Sequence, residues 1–475
     1  TEIAAPLDLA DEAKVTTAAG TALTLSGDVT HGGILKDGTG KLVLAGANRF
    51  EYGLEFGAGT TEIAGKDALG VVPGFIARDI ELANNALRFR TADGSETVTK
   101  RGICVTTPGP YQSAVLCVDT PATVGNLRAT QGAILKRGLA PLTVEVSGDY
   151  TLLSKAASKS SYCQRVIRAF PGDDGSTPEN PGTSGEDFFT GFSVTEGELR
   201  FTAAPGVTLP TVSMTADAVS IGIHTTNVTM RSIFTLDGVR FSATGCDFYA
   251  NGFNDGNHYI TSGETYTLDP ELLCNEVRLV NGAVLHVGKF YENNYGSGQY
   301  MRPSVFMTNA TLRAKTELWF SNARSAKANV HLDAKSTYRV SDSALEGPLA
   351  LSGGVDGDFA NTYLGPIDHT AAGTMKFSNT GFGTLLFRDG SVFRVSTFDL
   401  SAFDTRYALT FAFDGAEWQY GAGDYTFSPA LPAGMSEFFA FEARGEGLIL
   451  KPAEGTTFTA AYPIGGTGGL IVDGP

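Results

Sequence analysis

The densest run of side chains able to do chemistry lies between Asp247 and His258, where Asp247, Asn251, Asn254, Asp255, Asn257 and His258 share one short stretch. A histidine beside carboxylates can move protons, and a pair of carboxylates can cut a glycosidic bond. Tyr249, Tyr259 and Tyr295 lie in the same Asn-, Tyr- and Gly-rich region, 246–303. Aromatic rings with a polar tip suit a sugar face with a wet edge. Tyr249, Asn251, Asp255, His258 and Tyr295 are therefore the candidate binding residues. The same composition also describes a polar turn, because Asn, Asp and Gly dominate turns. Both readings stay open, and no catalytic set is assigned.

Other chemistry is thinly represented. The six histidines (His31, His224, His258, His286, His331 and His369) are scattered, with no His-x-x-x-His pair to hold zinc. Asp173-Asp174-Gly175-Ser176-Thr177 lacks a complete ligand series for calcium. Gly465-Gly466-Thr467-Gly468-Gly469 has no strand–loop–helix context for a dinucleotide. There is no Gly-x-Ser-x-Gly elbow and no P-loop. No cofactor and no metal are expected. Five cysteines leave at least one outside any internal pair. Cys104 with Cys117 and Cys246 with Cys274 are close enough in sequence to be disulfides, and buried thiols are the equal alternative.

Those residues must be positioned by β-structure. Hydrophobic residues make up 42%, enough for a sizeable core, while charged residues reach only 18%. The 58 glycines show no Gly-X-Y period, which excludes collagen and implies many tight turns. A net charge of −16 argues against nucleic acid, which needs a basic patch. No run of about 18 apolar residues is present, so no transmembrane helix is expected. The first residues carry no signal peptide.

Self-similarity organises the chain. Gly33-Ile34-Leu35-Lys36-Asp37-Gly38 continues through Gly40-Lys41-Leu42-Val43-Leu44 to Gly46-Ala47-Asn48. Ala133-Ile134-Leu135-Lys136-Arg137-Gly138 repeats it, as does Gly469-Leu470-Ile471-Val472-Asp473-Gly474. In each, a short strand meets a Gly turn and a second strand of period two follows. The third copy breaks off where its second strand should begin, so adjoining repeats are expected beyond it. Looser echoes share a small–x–Leu–x–Phe frame at Asn85–Phe89, Gly197–Phe201 and Gly383–Phe387. Such strands, separated by Gly and Asn turns, read as coils of a β-solenoid. Leu318-Trp319-Phe320 is assigned to the core, and Trp418 to the core or an exposed contact.

The stretch from Ile34 to Gly70 resembles the passenger-associated transport repeat, the autotransporter-associated β-strand repeat. Gly33, Leu35, Lys36, Gly38, Gly40, Leu42, Leu44, Gly46 and Asn48 carry the resemblance. Ala140-Pro141 departs from it. The resemblance covers roughly a third of the chain and implies a right-handed parallel β-helix displayed outside a bacterial cell, anchored to the outer membrane through regions outside this segment. It also implies adhesion or surface architecture.

The expectation is thus one continuous all-β solenoid over 1–475. Repeat units fall at 30–70, 130–153 and 465–475, and a loop leaves the stack at 154–187. Three functions remain open: an adhesin-like stalk that meets a glycan or another surface protein, a carbohydrate-active β-helix (lyase or hydrolase), and a pure spacer.

Overall fold

The computed structural model describes all residues except 71–79, 107–112, 132, 154–163, 167–185, 189–190, 195, 216–217, 222–231, 251–273, 292–301, 322–335, 348, 353, 366–372, 379–381, 403–407, 420–423, 432–438 and 475. Among the described residues there is no helix, and the strands pair in parallel, consistent with a β-solenoid. The exception is Gln164–Val166, antiparallel to Glu186–Phe188; these two strands are the main described pieces of the 154–187 loop. The chain divides into two compact units, which separate after Val239.

In the first unit the chain visits three strand rows in turn. One row stacks Leu23, Leu42, Thr61, Leu87, Leu116 and Lys136 in register. A second stacks Thr97, Ala122, Leu142, Leu199 and Phe234. A third stacks Val15, Lys36, Phe56, Leu82, Val105 and Ala129. Period-two alternation makes this possible. In Lys41–Leu44, Leu42 and Leu44 are buried while Lys41 and Val43 are half-buried. The Leu and Phe of the three echoes (Leu87, Phe89, Leu199, Phe201, Leu385 and Phe387) are all in the core.

Ile34-Leu35-Lys36 and Ile134-Leu135-Lys136 match in sequence, yet they occupy different rows, so the two copies do not stack on each other. What they share is local. Each puts a lysine at an inward position, fully buried, two residues before a left-handed glycine (Gly38, φ 77; Gly138, φ 82). Lys36 Nζ donates to the carbonyls of Gly38 and Ala58, both at 2.7 Å, and of Asp37 at 3.3 Å. Lys136 Nζ donates to those of Gly138, Glu196 and Ala140 at 2.5, 2.6 and 2.8 Å. The aliphatic stem fills the apolar column and the ammonium satisfies corner carbonyls that would otherwise be buried unpaired. Arg101 does the same with Phe50, Leu69 and Tyr52, donating at 2.8, 3.1 and 3.2 Å. Asn48, the last residue of the repeat, ties three coils. Its Oδ1 accepts from Val29 N at 2.9 Å and its Nδ2 donates to Ala68 O at 2.7 Å.

The second unit is built on the same parallel plan with a more aromatic core. One inward column runs Phe241, Leu285, Leu312, Leu345, Leu364, Phe393, Trp418 and Leu450. Another runs Leu279, Met307, Val340, Phe359, Phe387 and Phe413. Stacked rings fall at 5.2 Å (Phe359–Phe387) and 5.4 Å (Phe387–Phe413), close to the spacing that parallel strands impose. Trp418 is fully buried, edge-on to Phe393 and Phe427 at 5.3 Å each. This decides the open reading of Trp418 in favour of the core.

The Cys104–Cys117 disulfide is not formed. Cys104 sits in register beside Glu81 and Cys117 beside Arg88, at opposite ends of the strand Ile80–Phe89. That is too far for a bridge, which needs Cα atoms within about 7 Å. Cys117 is a buried thiol whose Sγ lies 3.4 Å from Asp119 Oδ1. Burial, with the Asp119 charge, pushes it far above the usual thiol range. Cys246 is buried in the strand Arg240–Tyr249, which pairs with Val284–Tyr291, whereas Cys274 opens a strand paired with Arg302–Thr308. Cys163 lies outside the described residues.

Two outcomes follow from this packing. Trp418→Ala should lower the unfolding free energy by about 3–5 kcal/mol, and Trp418→Phe by less, in urea unfolding curves. Lys136 tests the buried ammonium. Burial pulls its value down to about 7, against the attraction of Glu196. Its folded value therefore lies below the unfolded one, the unfolded chain holds more protons, and stability should rise with pH above about 7. Unfolding curves between about pH 7 and pH 8.5 should show this slope in the native chain and a flatter one in Lys136→Met. Equal slopes in both would contradict it.

Candidate functional site

The expected cluster is only partly placed. Asn251, Asp255, His258 and Tyr295 lie outside the described residues. Tyr249 ends the strand Arg240–Tyr249, in backbone register with Tyr291, which is in turn in register with Trp319. Asp247 is in register with Lys289, whose Nζ lies 2.7 Å from Glu317 on the next coil.

The arrangement with the clearest geometry lies elsewhere in the second unit, along one corner of successive coils. Asn309, Asp342 and Asn361 turn three consecutive corners in the left-handed conformation (φ 48, 47 and 53), and Gly390 turns the next at φ 75. The residue after each of the last three is an inward hydroxyl. Ser343 Oγ donates to Ser341 O at 2.6 Å and accepts from Ala310 N at 3.1 Å. Thr362 Oγ1 donates to Ala360 O at 3.1 Å, and Ser391 Oγ to Phe359 O at 2.7 Å. Ser343, Thr362 and Ser391 are all buried. Each of these last three corners thus has an inner hydroxyl that satisfies backbone and an outer residue facing solvent.

Those outer residues border a groove of about 300 Å³, with Thr311, Tyr363 and Gly390 completing much of its wall. Asn309, Asp342 and Asn361 are exposed. A Cβ on Gly390 would meet Asn361 Oδ1 at 1.9 Å, so glycine makes room for the amide of the coil before. Among the described residues, Asp342 is the one ionisable group lining the groove besides the Tyr363 phenol. The Arg394 guanidinium sits 4.5 Å from the Tyr363 ring centroid and donates to its hydroxyl at 3.1 Å.

No family model, curated protein or solved structure matches the chain. The site is therefore read from its own chemistry. A row of carboxamides and one carboxylate offers donors and acceptors to a polar, hydroxyl-bearing ligand. Among the described residues the groove holds a single carboxylate, whereas glycoside hydrolysis uses two. Among the described residues no group of three or more His, Cys, Asp or Glu is placed to hold a metal ion.

A larger cleft of about 590 Å³ lies in the first unit, lined by Asp28, Arg49, Asp67 and Lys100. Its edge at Gly70 adjoins 71–79, outside the described residues, and several of its polar groups are already engaged. Asp28 accepts from Ala47 N at 2.9 Å, and Lys100 pairs with Glu145.

Sequence reading missed the corner row because its Asn and Asp recur at irregular intervals. The usable signal was a turn-forming Asn or Asp directly before a small or hydroxyl residue, as in Asp342-Ser343 and Asn361-Thr362.

Two described histidines carry a testable contrast. His31 Nδ1 lies 2.6 Å from Asp8 Oδ1, and the hydrogen bond and charge of Asp8 raise its value above the ordinary 6.5. His286 is lowered by burial and by the neighbouring Arg313. In an NMR titration, His31 should keep its proton to a higher pH than His286. Asp8→Asn should bring His31 back towards 6.5 and leave His286 unmoved.

Proposed function

We propose that this chain is part of a secreted or cell-surface bacterial protein of the autotransporter passenger type. In this reading it is a right-handed parallel β-helix that serves as a non-catalytic, adhesin-like stalk and presents its surface to a glycan or another surface protein. The observation that carries the proposal is the coil-on-coil register within each unit. Parallel pairing with buried columns leaves stability to nearest-neighbour stacking and frees the corners and loops for contact. The handedness follows the strong preference for right-handed crossovers between parallel strands of one sheet.

The use of charge fits a scaffold. Lys41 pairs with Glu62 at 2.6 Å, Lys289 with Glu317 at 2.7 Å and Arg388 with Asp358 at 2.7 Å, each pair joining neighbouring coils. Buried Lys36, Lys136 and Arg101 hold backbone carbonyls. These groups stabilise the stack; they do not converge on a reacting atom. The repeat residues support the passenger assignment, with Lys36, Gly38, Leu42, Leu44 and Asn48 each in a structural role that the stacking demands.

The test has two readouts. Antibodies against the chain should label intact source cells as strongly as permeabilised ones, and labelling only after permeabilisation would overturn surface display. The purified chain should release no reducing ends or unsaturated products from a polysaccharide panel. Depolymerisation would make it a carbohydrate-active enzyme instead.

A further inference from the structure

We propose that the corner groove bordered by Asn309, Asp342 and Asn361 binds a neutral, linear polysaccharide, with the sugar chain lying along the stacking direction across successive coils. The inference rests on the surface-display reading above and names its ligand class and its site.

Three observations carry it. First, glycine is the natural residue for a left-handed corner, as Gly390 shows at the next position of the same row. Asn or Asp stands at the three preceding corners instead, and at two of them the inner hydroxyls of Ser343 and Thr362 already bond backbone groups. Second, among the described residues the exposed side chains of Asn309, Asp342 and Asn361 have no hydrogen-bond partner. Third, they line a concave space, and successive coils set them about 4.8 Å apart, a repeating row of donors and acceptors.

The chemistry selects the ligand. Sugar hydroxyls both donate and accept, as carboxamides do, and an extended polymer meets a row better than a single pocket. Among the described residues no Lys, Arg or His lines the groove, and Asp342 places negative charge in it, which disfavours phosphorylated or uronic-acid polymers. The corner residues are polar, and a row of them suits a hydroxyl-rich polymer better than the buried anchors of a protein partner.

The whole chain would be run in affinity electrophoresis through gels containing laminarin, xyloglucan or dextran as neutral probes, and polygalacturonate as the anionic one. The key variant carries Asn309→Gly, Asp342→Gly and Asn361→Gly together. Glycine keeps the left-handed corners, so its thermal midpoint should match or exceed that of the native chain. Lys14→Gln, at an exposed ion pair in the first unit, serves as control. The expected result is retardation by at least one neutral polysaccharide, weakened about tenfold or more in the triple variant and unchanged in the control. Equal retardation of native chain and triple variant would overturn the groove while leaving surface display intact. Retardation by polygalacturonate alone, or by none of the gels, would overturn the ligand class. Surface display would then stand or fall on the cell labelling.

Discussion

Parallel pairing between coils is the constraint on which everything else in this chain depends. A strand in a parallel stack spends its backbone hydrogen bonds on the coils before and after it, so each coil must repeat the path of its neighbour. Inward side chains then fall into columns about 4.8 Å apart. A column tolerates only residues that fill the same cross-section, which explains why Phe359, Phe387 and Phe413 stack ring on ring and why Trp418 is received edge-on by Phe393 and Phe427.

Corners are where that economy fails, because the chain must turn and its carbonyls lose their strand partners. The two units meet the problem differently. In the first, long cationic side chains lie within the core and reach the corner carbonyls from inside, as Lys36, Lys136 and Arg101 do. In the second, short hydroxyls at Ser343, Thr362 and Ser391 do the work locally. A lysine works in the first case because its stem is apolar and its ammonium has three hydrogens for three carbonyls. The lowered proton affinity of Lys136 is the electrostatic cost of that placement. In the second unit the hydroxyls are short and inward, so the residue before each is left on the outside, and that is how Asp342 and Asn361 come to line a groove beside Asn309.

Much of the local architecture was legible in the sequence. Leu42 and Leu44 alternate with Lys41 and Val43, and that period alone puts the leucines inside. The echo strands were recognisable by the same rule. The role of Lys36 was not, because a lysine in a repeat reads as a surface residue until its column is known. Nor was the site legible. The Asp247–His258 cluster stood out through density along the chain, whereas Asn309, Asp342 and Asn361 come together only because coils of unequal length return to one corner.

The sequence by itself determined the all-β character, the short strands and many of the turns, since period-two patterning and left-handed glycines act over a few residues. Tertiary structure decided which strands share a row, and it separated the copies at Ile34 and Ile134 into different rows. It also decided that Cys104 and Cys117 stay apart and that three distant corners adjoin. The reason is register. Coil length varies along the chain, and register between coils is set by the sum of all intervening turns and by the fit of whole columns, which no single stretch of sequence contains.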